Sequence, residues 1–194
     1  MKKKQLIVPL VLSALFASYA QAETPSAEML ANTCVGCHGP KGVSQGPATP
    51  SIASFSKDYI IDAMNEYAKN ERASTIMGRI ARGYSEKEIE LLASYFPKQK
   101  LVSAKQKVDS KKAKQGAALH KKYCEKCHED NGRSAEDDAG VLAGQWKPYL
   151  TYTMHDFLSG NREMTKKMKG RVNKMIKAKG KKSLSALNEF YANQ

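Results

Sequence analysis

Every cysteine and two of the four histidines fall in two matching pentads, Cys34-Val35-Gly36-Cys37-His38 and Cys124-Glu125-Lys126-Cys127-His128, whose first cysteines stand 90 positions apart. Sulfurs three residues apart near the C-terminal end of a helix share one face, and the histidine that follows offers an imidazole beside them. This is the pattern that attaches a c-type haem: each thiol adds to a vinyl group as a thioether, and the imidazole becomes the proximal ligand of the iron. One match could be accidental, whereas two that use all the cysteines make the signal specific. Competing chemistries fit less well. A zinc site wants its cysteine pairs roughly 15–20 residues apart, and a thioredoxin-like pair wants a βαβ setting. Plain disulfides, which an even cysteine count permits, would leave the repeated histidine without a role.

A methionine thioether in the sixth position would raise the iron's potential and close it to substrates. In the first half, Met29 on the attachment helix and Met64 on an apolar stripe both read as core. Met77, 39 residues after His38 and between two helical segments, is the expected ligand. The second half offers Met154, Met164, Met168 and Met175. Matching the spacing selects Met168, 40 residues after His128, and Ile80, Ala81 and Tyr84 follow Met77 much as Val172 and Met175 follow Met168. If Met164, Met168, Val172 and Met175 instead form one buried helical stripe, Met164 at its start is the ligand. His120, four residues before Cys124, reads as a packing residue, and His155 as exposed. A proximal imidazole normally donates its other N–H to a carbonyl or carboxylate. The segment Gly46-Pro47-Ala48-Thr49-Pro50 is the expected source in the first half, and Asp138 to Leu142, without proline, in the second.

The elements that must position these residues read as helical throughout. Thr24 and Pro25 suggest a cap and first residue for a helix over 26–34. Tyr59, Ile60, Ala63, Met64 and Tyr67 mark another over 58–69. Ser85 with Glu88 forms a capping box ahead of Ile89, Leu91 and Leu92, with Pro97 as the stop. The second half repeats the order over 113–124, 148–157, where Tyr149 and Tyr152 should be buried, 164–178 and 184–191. Without hairpin or alternating signals the fold class is all-α. Residues 98–112, rich in lysine and free of aromatics, read as a basic linker between a unit at 23–97 and one at 113–194. Such small, lysine-rich helical units bury little apolar surface by themselves, and a prosthetic group in each core would supply what is missing.

Residues 1–22 carry a signal-peptide pattern: Lys2, Lys3 and Lys4, an apolar run from Leu6 to Ala17, and Ala20-Gln21-Ala22 as the cleavage site. The run is short of the ~20 residues that a membrane span needs, so the expected protein is periplasmic and has no span. Removing the three lysines takes the formal charge from +13 to +10. A basic surface of this size favours acidic partners, and export excludes nucleic acid.

With these residues in view, the chain resembles the two-haem cytochrome subunits of flavocytochrome c sulfide dehydrogenases. The resemblance rests on Cys34-Val-Gly-Cys-His-Gly, Gly46-Pro-Ala-Thr-Pro-Ser-Ile-Ala, Ser74-Thr-Ile-Met-Gly-Arg-Ile-Ala-Arg-Gly-Tyr-Ser, Lys122-Tyr-Cys-Glu-Lys-Cys-His and Leu142-Ala-Gly-Gln-Trp-Lys-Pro-Tyr-Leu. It implies two tandem class I cytochrome c folds, each around one covalent haem c with His/Met ligation: Cys34, Cys37, His38 and Met77 for one, and Cys124, Cys127, His128 and a methionine near 168 for the other. It also implies a partner that carries the FAD and oxidises sulfide, so this chain transfers electrons to a soluble acceptor and needs no catalytic residues of its own. The alternatives are a free-standing two-haem cytochrome serving a terminal oxidase or reductase, and an enzyme in which one haem lacks methionine and binds a small molecule directly.

Overall fold

Cap residues and left-handed turns divide the chain into short helices. The computed structural model describes residues 25–134 and 139–194; the expected signal peptide, Thr24 and Asp138 lie outside the described residues. Helix α1 (Ala27–Asn32) is capped by Ser26, whose hydroxyl accepts the Met29 N–H. Thr24 and Pro25 therefore precede the helix instead of starting it, because serine one position closer supplies the same capping oxygen. The first attachment motif forms α2 (Val35–His38). Then follow α3 (Lys57–Ala68), α4 (Met77–Ala81) and α5 (Glu86–Ala93), the last with the capping box that Ser85 and Glu88 predict. Helix α5 ends four residues before Pro97, and the proline sits inside a separate 3-10 turn, Phe96–Lys98.

The second half contains α6 (Ser110–Tyr123), α7 (Glu129–Gly132), α8 (Lys147–Ser159), α9 (Lys166–Lys179) and α10 (Lys182–Ala192). Asp109 caps α6 by accepting the Lys112 N–H. Three residues of the basic stretch 98–112 are thus already helical. Among the described residues there is no strand, only one isolated antiparallel bridge between Arg72 and Arg162.

Each half closes into a lobe by crossing its first helix over its last. In the first, α1 packs on α5, and Leu30, Ile60, Met64, Leu92 and Phe96 form the core. In the second, α6 packs on α10, over Tyr123, Leu150, Met175, Leu187 and Phe190. The contact at Gly116 is so close that a Cβ there would lie 2.0 Å from the Ala186 carbonyl oxygen. A matching pair of left-handed glycines turns the chain after each attachment motif. Gly42 (φ 77°) accepts the Ile52 and Ala53 N–H groups, and Gly132 (φ 85°) accepts those of Leu142 and Ala143. These four pairings all keep the 90-residue offset of the cysteines.

The lobes are locked together. Gln145, with no exposure, donates to the Ser51 carbonyl (2.7 Å) and accepts the Ser51 N–H (3.0 Å). Trp146 donates its indole N–H to the Ser44 carbonyl, and Val141 inserts into the core of the first lobe.

Candidate functional site

In both attachment motifs the first cysteine's carbonyl accepts the N–H of the histidine four residues on, at 2.9 Å for His38 and 3.0 Å for His128. One turn thus gathers two thiols and an imidazole. Cys37 and Cys127 are exposed, Cys34 and Cys124 half-buried, and none is in a disulfide. Burial pushes the Cys34 and Cys124 thiols up, against hydrogen bonds from Thr33 and Tyr191 that pull them down.

His38 Nδ1 lies 2.8 Å from the Pro50 carbonyl, within the segment expected to supply this bond. A carbonyl only accepts, so Nδ1 carries the proton and Nε2 keeps its lone pair, the form in which an imidazole binds metal. Burial holds the ring's pKa below its usual value despite that bond. The second lobe differs. Buried His128 Nδ1 has no hydrogen-bond partner among the described residues, and burial, with His120 nearby, pushes its pKa down to about 4. Both rings are therefore neutral near pH 7.

Met77 opens α4, half-buried against the first core. Met168 lies in the first turn of α9, where its N–H meets the Thr165 hydroxyl that caps the helix, and Met164 precedes that cap. Both are half-buried. Buried residues follow Met77 and Met168 in the same register: Ala81 four residues after the one, Val172 four after the other. Of the remaining candidates, Met64 is buried as expected, but Met29 is 64% exposed. Its helix is too short to give α1 a second inward face beyond Leu30 and Ala31. Tyr152, expected to be buried, is 61% exposed, because α8 turns Leu150 inward instead. His155 is exposed. His120 is buried, its Nδ1 hydrogen-bonded to the Tyr191 hydroxyl at 3.0 Å.

One cluster escapes a reading by motif. Tyr59, Tyr67 and Arg72 of the first lobe meet Tyr149 and Arg162 of the second. Arg72 donates to the Tyr59 hydroxyl at 3.1 Å and Arg162 to the same oxygen at 3.4 Å. The Arg72 guanidinium also lies over the Tyr67 ring, 4.8 Å from its centre. Burial alone would raise the Tyr59 phenol, but the two guanidiniums outweigh it and hold the pKa below the usual value. Among the described residues the only carboxylate paired with Arg72 is the half-exposed Glu66, 3.6 Å away. The signal that would have found this cluster is the register: Tyr59 and Tyr149, like Arg72 and Arg162, stand 90 residues apart, as the cysteines do.

These residues fit a covalently held haem in each lobe. Unpaired thiols stand beside a neutral imidazole in both, and among the described residues Arg162 has no carboxylate partner and Arg72 only the half-exposed Glu66, an arrangement suited to the propionates of a haem.

The cytochrome c family pattern matches residues 25–99. The chain is 45% identical over 69 residues to the cytochrome subunit of sulfide dehydrogenase from Chlorobaculum tepidum, an alignment spanning 36% of this chain and 62% of that protein. It is 26% identical to cytochrome c4 from Pseudomonas aeruginosa over 81% of each chain. The crystal structure of cytochrome c4 from Pseudomonas stutzeri superposes with a TM-score of 0.71 at 25% identity, covering 87% of this chain and 98% of that one. Residues 25–99 thus match the cytochrome c pattern, and the described chain as a whole has the all-α, two-lobed fold of the class I cytochromes c.

Proposed function

We propose that this chain is the electron-transfer subunit of a periplasmic sulfide-oxidising complex: a flavin-bearing partner holds the FAD and reduces it with sulfide, and the chain passes the electrons to a soluble acceptor. In this reading residues 1–22 are the export signal, residues 23–97 and 113–194 each hold one haem c, and residues 98–112 join them. Cys34 and Cys37 bind one haem with His38 and Met77 as its axial ligands. Cys124 and Cys127 bind the other, with His128 and Met168 in preference to Met164. A haem so held supplies an iron that gains and loses one electron.

The chain's own part is to position and insulate. Pro50 fixes the His38 tautomer, so Nε2 stays available at neutral pH. Buried Arg72 and its partner Arg162 offer fixed positive charge between the lobes, suited to the anionic edges of both prosthetic groups. The Gln145–Ser51 clamp keeps the lobes from sliding, and a fixed separation keeps electron transfer between them reproducible. The observation that carries the reading is the second complete attachment site on a locked second lobe, together with the likeness to the Chlorobaculum subunit.

A second reading, a free-standing two-haem carrier, is favoured by the end-to-end likeness to cytochromes c4. Purifying the native protein at moderate salt separates the two. A stoichiometric flavin-bearing chain that stays attached supports the first, and a two-haem protein that runs alone overturns it.

A further inference from the structure

The two lobes repeat each other in backbone, but the faces beside their proposed methionine ligands do not match in charge. Over residues 77–93 the first lobe carries Arg79, Arg82 and Lys87 against Glu86, Glu88 and Glu90, a net charge of zero. Beside Met77 it also exposes apolar side chains, Ile76 at 44% and Ile80 at 36%. Over residues 166–182 the second lobe carries nine lysines and arginines and no acidic residue. All nine are exposed, and none is in an ion pair among the described residues. The large apolar side chains of α9 are turned from solvent, Val172 and Met175 buried and Met168 and Ile176 half-buried, and α9 packs on α6, the helix that leads into Cys124.

Nine uncompensated cations on one short stretch repel one another and destabilise the isolated protein. They gain favourable interactions only when a surface of opposite sign approaches. An electrostatic face of this kind accelerates encounter and weakens with salt, the behaviour of transient partners, whereas lasting interfaces are more apolar. A membrane-surface helix would turn its apolar side chains outward as an anchor, and α9 buries its own.

We infer that the α9 face of the second lobe is the docking surface for the mobile electron acceptor, a redox protein whose contact surface is acidic. This rests on the electron-transfer reading above and adds the exit point: electrons leave through the second lobe.

The test uses reduced two-haem protein, as isolated, mixed in a stopped-flow instrument with an acidic blue-copper protein of higher potential. The wild-type bimolecular rate should fall at least about tenfold between about 10 mM and about 300 mM salt. At low salt the variant Lys174→Glu/Lys177→Glu/Lys179→Glu should be at least about tenfold slower than wild type, with its salt dependence flattened. Lys105→Glu/Lys111→Glu/Lys114→Glu changes the net charge equally on the linker side and should cost less than about threefold. Equal losses in the two variants, or a wild-type rate insensitive to salt, overturn the inference. So does α9-dependent binding to phosphatidylglycerol-containing vesicles with an unchanged protein-to-protein rate, since the face would then be a membrane contact. Haem content and the thioether–iron absorption band are recorded first for every sample. Their absence defeats the electron-transfer reading itself, while their presence with equal rates defeats only the docking face.

Discussion

Gln145 and Ser51, one from each lobe, are joined by two hydrogen bonds through a side chain that has no contact with water. Removing the amide strands the Ser51 N–H and carbonyl in a buried setting, at about 1–3 kcal/mol for each unsatisfied group. Gln145→Ala should therefore destabilise the holoprotein by about 2–4 kcal/mol, and chemical denaturation should split into two steps as the lobes lose cooperativity. A single transition with an unchanged midpoint would show that the clamp contributes nothing.

Gly116 and Gly170 test helix packing in opposite directions. A Cβ on Gly116 would meet the backbone oxygen of Ala186 at 2.0 Å and the Phe190 Cβ at 2.6 Å, neither of which can rotate away. Gly116→Ala should cost at least about 3 kcal/mol, and the yield of holoprotein should fall with it. Gly170 lies exposed within α9 with open space where the methyl would go. Gly170→Ala should stabilise by about 0.5–1 kcal/mol through lower chain entropy. Thermal melts of the two variants give both signs directly.

How much of this was legible beforehand depended on whether local chemistry carried the information. The Ser85–Glu88 box and the helical periodicity of α3 and α6 are each set by neighbours in sequence, and the structure has them where they were expected. The carbonyl that orients His38 was legible too, because the proline-rich segment 46–50 restricts where the chain can turn. The exposure of Met29 and Tyr152 was not, since a stripe pattern says that a helix has an inner face but not how wide it is. The Tyr59–Arg72–Arg162 cluster was visible only as a long-range repeat. Such residues read singly as solvated charge, and only the docking of one lobe on the other turns them into buried partners.

Arg72 should tune the irons as well as join the lobes. It is buried and remains charged, because the surrounding phenols and Glu66 offset the cost of burial. Arg72→Leu removes a positive charge from the space between the proposed haems. The oxidised state, which carries one more positive charge, then becomes easier to reach. Both midpoint potentials should fall, by an energy on the order of 1 kcal/mol at an effective dielectric near 20. A potentiometric titration that superposes on wild type would place this guanidinium outside the electrostatic reach of either metal.

His120 should give the protein a pH-dependent margin. Burial holds its pKa below the ordinary value of 6.5, with Glu125, at 3.2 Å, pulling in the other direction. The unfolded chain takes up a proton on this ring as pH falls through 6.5, while the folded chain resists it. The stabilisation is therefore complete above that pH and is lost as pH falls toward the depressed folded value. His120→Gln keeps a partner for the Tyr191 hydroxyl and does not titrate. The difference in unfolding free energy between wild type and variant should be flat above pH 7 and shrink as pH falls below about 6.5. A difference that is constant across this range would mean that the ring's protonation is the same folded and unfolded.

The choice between Met168 and Met164 decides whether the first turn of α9 or the residue just before its cap faces the proposed second iron, and the register favours Met168. Ala81 is buried four residues after Met77 and Val172 four after Met168. The residues seven after them, Tyr84 and Met175, likewise pack into their own cores. The Arg72–Arg162 bridge fixes the two loops relative to each other, with Met77 five residues and Met168 six residues beyond it. Met164 follows its arginine by only two. Met168→Leu should therefore halve the thioether–iron absorption band, lower one midpoint potential and leave one haem open to carbon monoxide, since a thioether ligand both raises the potential and fills the site. Met164→Leu should leave all three readouts unchanged, and Met77→Leu should reproduce the loss at the other haem. If the Met164 variant loses the band and the Met168 variant keeps it, the helix start is the ligand, and the spacing argument from the first lobe does not transfer to the second.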